Sequence, residues 1–256
     1  MNDSMSRFSV KGKTALVTGA SRGIGAEIAM NLAQAGAEVL ITARHHYDLT
    51  QVCEKIRSFG SKCEAIEADL VSINGAEEVA QKSFEHFSTI DILVNNAGTV
   101  KVAPFWETTV EDWDQMQAVN LRAPFILSKI LSEPMRAQKQ GKIINISSVA
   151  GIAALSGHAA YSASKGGLNL LTKVMAAELG PFNIQCNAVA PTVILTELGQ
   201  KVWGSPEKGE PMKDKIPLHR FGKPLEVADL VLYLASPASD MMTGQVIALD
   251  GGYTAL

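Results

Sequence analysis

The sequence predicts a doubly wound α/β fold, one seven-stranded parallel sheet with helices on both faces. Short apolar runs alternate with longer amphipathic ones along the whole chain. Several short runs are rich in β-branched residues and lack polar alternation, as strands buried on both faces should. The first of them leads into a glycine-rich turn and then a helical run, which marks a strand–turn–helix unit.

Taken in order, strands are expected at 15–18, 39–42, 63–66, 90–94, 143–146, 184–188 and 246–249. Each run has the length of a strand and is too short for an ordinary helix. Between them the apolar spacing turns helical over 24–35, 48–59, 75–87, 113–138, 160–179 and 224–234. Strands separated by helices cannot pair through tight hairpins, so they run parallel and the helices cover the sheet. Segment 192–217 breaks the rhythm, being rich in Gly, Pro and charge. An irregular stretch after the sixth strand lies at the carboxyl edge of the sheet, where it is expected as a substrate lid. The alternative is a solvated insertion.

The 256 residues read as a single domain, 1–256, without internal repeats or low-complexity linkers. A hydrophobic fraction of 46% supplies a large core, and a charged fraction of 19% argues against disorder. With a net charge of −3 and no long Lys/Arg run, neither nucleic acid nor an anionic membrane is an expected partner. No apolar signal region opens the chain and no apolar run is long enough to span a bilayer, so a cytoplasmic location is expected. Cys53, Cys63 and Cys186 are odd in number and form no CxxC pair. They are expected as reduced thiols, buried or incidental, with no metal site. Asn145-Ile146-Ser147 spells a glycosylation sequon within an apolar strand and is read as chance.

Thr18-Gly19-Ala20-Ser21-Arg22-Gly23-Ile24-Gly25 follows the first strand and opens the first helix. Glycines there let the backbone turn sharply and approach a pyrophosphate, which the free N–H groups of a helix start attract. The GxxxGxG spacing departs from the GxGxxG dinucleotide fingerprint; its position at the first strand–helix junction gives it weight. Asn95-Asn96-Ala97-Gly98 follows the fourth strand, and Tyr161 and Lys165 stand four apart in a helical run. These three motifs, in this order, resemble the short-chain dehydrogenase/reductase family, over nearly the whole chain. The resemblance implies a Rossmann-type domain, an oxidoreductase of CH–OH groups and a homotetramer. It further implies a nicotinamide cofactor held by Gly19, Ser21, Arg22, Gly23, Ile24 and Gly25, and by Asn96, Ala97 and Gly98. Pro191, Thr192, Val193 and Thr196, after the sixth strand, are implied on the nicotinamide side, and Asp69 at the adenine amino group.

The cofactor expected is NADP(H). Enzymes that prefer NAD place an acid at the end of the second strand, where it binds the ribose 2′-hydroxyl. Here that strand ends Ile41-Thr42-Ala43-Arg44. Arg44 and Arg22 offer two guanidinium groups for a 2′-phosphate, with no carboxylate to repel it.

Tyr161 and Lys165 share one helix face, about one turn apart. A phenol titrates near 10 when unperturbed, and the ammonium, with an oxidised nicotinamide, is expected to bring it down. In similar enzymes the lysine also binds the nicotinamide ribose. Ser148, thirteen residues before Tyr161, is expected to point into the crevice and hold the substrate oxygen, with Ser147 turned away. Asn120 matches the residue that, in similar enzymes, positions a water linking the lysine to solvent. The chemistry implied is hydride exchange with the cofactor and proton exchange with Tyr161.

Most similar enzymes carry Pro-Gly after the sixth strand. Pro191-Thr192, with Gly199, Trp203 and His158, instead resembles the branch acting on dicarbonyls, ketoses and polyols. His158 and Trp203 facing a small cleft would suit such carbonyl or polyol substrates; otherwise His158 caps a helix and Trp203 packs the lid. The alternative function is a 3-oxoacyl-[acyl-carrier-protein] reductase, weakened by Phe182 where such reductases present a basic residue. A cofactor sensor without turnover is disfavoured, because such sensors commonly lose the Tyr or the Lys.

Overall fold

The computed structural model describes residues 4–255, apart from the side chains of Ser4 and Leu198. Its strands are β1 (Thr14–Thr18), β2 (Glu38–Ala43), β3 (Cys63–Glu67), β4 (Ile92–Asn95), β5 (Gly141–Ile146), β6 (Ile184–Pro191) and β7 (Val246–Leu249). They form one seven-stranded sheet of order β3-β2-β1-β4-β5-β6-β7, every pairing parallel. The helices are α1 (Gly23–Gln34), α2 (His46–Arg57), α3 (Ile73–His86), α4 (Val110–Gln117), α5 (Ala123–Gln138) and α6 (Ala159–Leu179). After β6 come α7 (Glu197–Trp203), α8 (Pro206–Lys213) and α9 (Pro224–Ala235).

Both faces of the sheet are buried, so side-chain alternation sorts each strand between two cores. Val17, Val94 and Ile144 pack with Ile28 and Leu32 of α1 and Val227 and Val231 of α9. Leu16, Leu93 and Ile143, one step out of phase, pack with Val79 of α3, Leu127 and Leu131 of α5 and Met175 of α6. Each such side chain contributes about 1.5–3 kcal/mol relative to exposure. The strand order reverses between β1 and β4, and the crevice outside their carboxyl ends is where a doubly wound sheet binds ligands.

Three helical expectations are revised. The run expected from 75 begins at Ile73, because Ser72 caps it, its Oγ accepting the Gly75 N–H at 2.8 Å. The run expected over 113–138 is α4 and α5 joined by a π-turn, Ala118–Arg122. It starts at Val110 because Thr109 Oγ1 accepts the Asp112 N–H at 3.1 Å.

The third revision concerns 192–217, which is not irregular but folds into α7 and α8. Thr196 caps α7, its Oγ1 accepting the Gly199 N–H at 3.0 Å. Pro206 opens α8, where a missing N–H costs nothing. At seven and eight residues these helices are too short for a periodic signal. Beneath them lies a small third core of Met212, Ile216 and Phe221, with Val193, Trp203 and Tyr253 packed on it. Among the described residues no helix is long and apolar enough to cross a membrane.

Candidate active site

The glycine turn after β1 and the turn after β4 are one hydrogen-bonded unit. Thr18 Oγ1 accepts the N–H groups of Asn96 and Ala97 at 3.0 and 2.9 Å. In return Asn96 Nδ2 donates to the carbonyl oxygens of Thr18 and Gly19 at 2.8 and 3.1 Å. Gly19 has φ of +65°, and a Cβ on it would stand 2.7 Å from the Ala97 Cα. Gly25 has no room for a Cβ between the Asn96 amide and the Gly19 carbonyl. At the N-cap of α1, Arg22 is extended and makes no side-chain cap, so the first N–H groups of Gly23, Ile24 and Gly25 remain for an anion. Ser21 lies half-buried beside them. A Cβ on Gly23 would meet the Thr196 methyl at 3.1 Å, so α7 begins against this loop.

On the β2 side, Arg22 and Arg44 are both exposed, and neither joins an ion pair among the described residues. Glu197 at the start of α7 lies near Arg22; its carboxyl is held below the usual range by Lys201 and, more weakly, by Arg22. Asp69, exposed after β3, accepts the Val71 N–H at 3.0 Å through Oδ1.

The reactive groups meet at the start of α6. Lys165 is 3% exposed; its Nζ donates to the Ile146 carbonyl at 2.7 Å and lies 5.8 Å from the Tyr161 ring centroid. That bond uses one of three ammonium donors, and burial lowers the lysine to about 8. Gly98 borders the ammonium: a Cβ there would stand 3.7 Å from Nζ, in ordinary contact. The Tyr161 phenol is raised by burial, partly offset by a hydrogen bond with Ser148. The downward shift expected beside Lys165 is therefore not what the protein alone produces: desolvation dominates.

Ser148 follows the end of β5 and is half-buried, its Oγ also accepting the Ala150 N–H at 3.1 Å. Ser147 is buried, its Oγ donating to the Lys165 carbonyl at 3.4 Å. Asn120 sits in the π-turn with both ends of its amide engaged. Oδ1 accepts from the Thr99 N–H at 2.8 Å; Nδ2 donates to the Thr99 carbonyl at 2.9 Å and to Ser164 Oγ at 3.0 Å. Any link from Asn120 to a water thus falls to the backbone, where a π-turn interrupts α-helical pairing.

His158 stands at the N-cap position of α6 without capping it. Its Nδ1 lies 2.8 Å from the Ser156 carbonyl, and its ring centroid 6.1 Å from that of Tyr161. A carbonyl can only accept, so Nδ1 carries the proton and, in the neutral ring, Nε2 is left an acceptor. Trp203 is placed differently: its ring packs 6.3 Å from that of Phe221 in the third core, the lid-packing role. Pro191 ends β6, and Val193 packs in that same core. Thr192 Oγ1 is buried and has no partner among the described residues, an open hydrogen-bonding site between them.

Several buried polar residues support the site without belonging to a functional motif. Asn95 Nδ2 donates to Ser128 Oγ at 3.2 Å and to Asn145 Oδ1 at 2.9 Å, and Asn145 Nδ2 donates to Thr172 Oγ1 at 2.8 Å. This buried chain ties β4 and β5 to α5 and α6, the helix that carries Tyr161. Polar residues inside apolar strand runs were its available signal.

A doubly wound sheet with a glycine loop at its switch point and a Tyr–Lys helix beside it defines a nicotinamide-type oxidoreductase. Residues 19–254 match the family model described as Enoyl-(Acyl carrier protein) reductase. L-xylulose reductase of Bos taurus is 40% identical over 95% of this chain and 97% of its own length. The NAD-dependent glycerol dehydrogenase of Listeria innocua is 39% identical over 96% of each chain. A solved gluconate 5-dehydrogenase from Burkholderia cenocepacia, in complex with NADP and tartrate, superposes with a TM-score of 0.93. It is 33% identical and covers 98% of this chain and 99% of that one. The chain belongs to the short-chain dehydrogenase/reductase family and is an oxidoreductase of alcohol and ketone groups.

Proposed function

We propose that this enzyme uses NADP(H) to interconvert a ketone and a secondary alcohol on a small polar substrate carrying a neighbouring hydroxyl, a ketose or polyol. The observation that carries the reading is the convergence of Ser148, Tyr161 and Lys165 on one point: a phenol hydrogen-bonded to Ser148, with a buried ammonium beneath its ring.

The residues present fit a dinucleotide. The uncapped start of α1 suits the pyrophosphate. The underused Lys165 ammonium suits ribose hydroxyls, and the unpartnered Thr192 hydroxyl suits a carboxamide. Arg22 and Arg44, unpaired among the described residues, favour a 2′-phosphate. When bound, the nicotinamide supplies or accepts the hydride. Tyr161 gives its proton to the substrate oxygen during reduction and takes it back during oxidation. Ser148 shares that oxygen, orients it and lowers the phenol against the burial that raises it; the Lys165 ammonium places a positive charge beneath the ring.

His158 supports the substrate class. Its Nε2, left an acceptor by the Ser156 carbonyl, suits a hydroxyl beside the reacting carbon. Exposed Phe125, Leu170 and Val174 on α5 and α6 support assembly into a homotetramer. The test is a screen following NADPH absorbance across ketoses, vicinal dicarbonyls and acetoacetyl thioesters. Turnover of ketoses is expected; a preference for the thioester would favour the carrier-protein reductase instead.

A further inference from the structure

Outside this site, two of the three cysteines share a contact that the proposed reaction does not use. Cys53 lies on the buried face of α2 and Cys63 opens β3, the edge strand of the sheet. Their sulfurs are 2.6 Å apart, and their residues are 2% and 0% exposed. The remaining gap to a disulfide bond of about 2.05 Å is roughly half an ångström. The three cysteines are free and buried, in line with reduced thiols, and positions ten apart on a helix and the following strand prove adjacent in space.

A cation stands beside the pair. Arg57, one turn beyond Cys53, donates from Nε to the Cys63 carbonyl at 3.1 Å and faces Glu64 at 3.7 Å. The Cys53 thiol is held below its usual range, first because it hydrogen-bonds to Cys63 and then by the Arg57 charge. Cys63 is raised by the same hydrogen bond and by burial. The directions favour Cys53 as the attacking sulfur, with Cys63 holding the shared proton. Cys186 has neither feature: it is buried and pushed up to about 12 by desolvation.

We propose that Cys53 and Cys63 form an oxidisable pair that closes to an intramolecular disulfide between α2 and β3 on exposure to hydrogen peroxide. The Cys53 thiolate attacks one peroxide oxygen, breaking the O–O bond to leave a sulfenic acid and, after protonation, water. Cys63 then gives up its proton and attacks the Cys53 sulfur, and the sulfenic oxygen departs as a second water. The sulfur pair loses two electrons and the peroxide gains them. Both thiols are buried, so access requires local opening of α2 at the sheet edge, and closure is slow beside reaction of an exposed thiol. The inference stands apart from the choice of cofactor or substrate.

The full-length protein is incubated with hydrogen peroxide, unfolded in an alkylating reagent and weighed. The pair predicts one alkylated thiol instead of three, a mass two hydrogens lighter before alkylation, and full reversal by dithiothreitol. Proteolysis is expected to release a peptide joining Cys53 to Cys63, and Cys53→Ser or Cys63→Ser to prevent the linkage. The oxidised protein should melt a few degrees higher, because the crosslink constrains the unfolded chain. Three alkylatable thiols after exposure, a link through Cys186 or between chains, or oxygen retained on Cys53 without a linkage would each overturn the proposal. The wild-type mass decides the matter even if a serine variant fails to fold.

Discussion

Asn96 and Thr18 hold the two turns of the dinucleotide crevice together through reciprocal bonds. Thr18 Oγ1 accepts the Asn96 N–H at 3.0 Å and Asn96 Nδ2 donates to the Thr18 carbonyl at 2.8 Å. The β1 and β4 loops therefore cannot move independently. Gly25 sits under the same Asn96 amide, with no space for a methyl group.

Gly25→Ala is accordingly expected to cost about 1–3 kcal/mol of stability through overpacking and to weaken NADPH binding at least tenfold. Gly180→Ala is the control: nothing lies within 4 Å of its added Cβ, and its φ of −53° suits alanine. Thermal melts and fluorescence titration with NADPH check both. Equal behaviour of the two variants would mean that the loop packing is not rigid.

Lys165 makes a prediction about pH. Its folded value is about 8 against 10.5 when solvated, so in that window the unfolded chain holds a proton that the folded chain lacks. Stability of the cofactor-free protein should rise with pH from about 8 to 10.5 relative to Lys165→Met. Ribose hydroxyls pairing with the ammonium should reverse this, so NADP binding should take up a proton near pH 8 to 9, roughly where the lysine titrates. Denaturation curves and calorimetry in buffers of different ionisation enthalpy measure the two effects. Release of a proton on binding would contradict the role assigned to Lys165.

Arg44→Asp should weaken NADPH by about 2–3 kcal/mol, through loss of a charge-assisted contact and new repulsion, and change NADH little. Dissociation constants for both cofactors decide it. An equal loss for the two would mean that Arg44 touches no 2′-phosphate.

The sheet was legible because its strands are buried on both faces, and nothing polar interrupts runs such as Leu16-Val17 or Ile143-Ile144. The glycine loop, Tyr161 and Lys165 were legible because ordered motifs carried them. The π-turn at Asn120 was not: it inserts one residue into a continuous amphipathic pattern and leaves its polarity unchanged. The helices of 192–217 escaped because seven or eight residues give barely two turns. The Cys53–Cys63 contact and the raised Tyr161 phenol depend on tertiary burial, which one-dimensional spacing does not encode.

His158 and Trp203 should now separate. His158→Ala is expected to lower kcat/KM for a hydroxyketone by ~5-fold while changing a plain ketone little, since a net hydrogen bond contributes about 1 kcal/mol. Trp203→Ala should act through stability, costing about 1–3 kcal/mol by unpacking Phe221. Kinetics on paired substrates and melting curves distinguish them. If Trp203→Ala leaves stability intact but raises KM, the ring is a cleft wall after all.

The most direct test of the account is steady-state reduction of a small ketose by the wild type and Tyr161→Phe, with NADPH and NADH, alongside NADPH affinity. The wild type should show the higher kcat/KM with NADPH. Tyr161→Phe should bind NADPH unchanged yet lose ~10²–10⁴-fold in turnover, the range for one acid–base group. A variant that keeps most of its activity, or a wild type indifferent to the cofactor's 2′-phosphate, would contradict it.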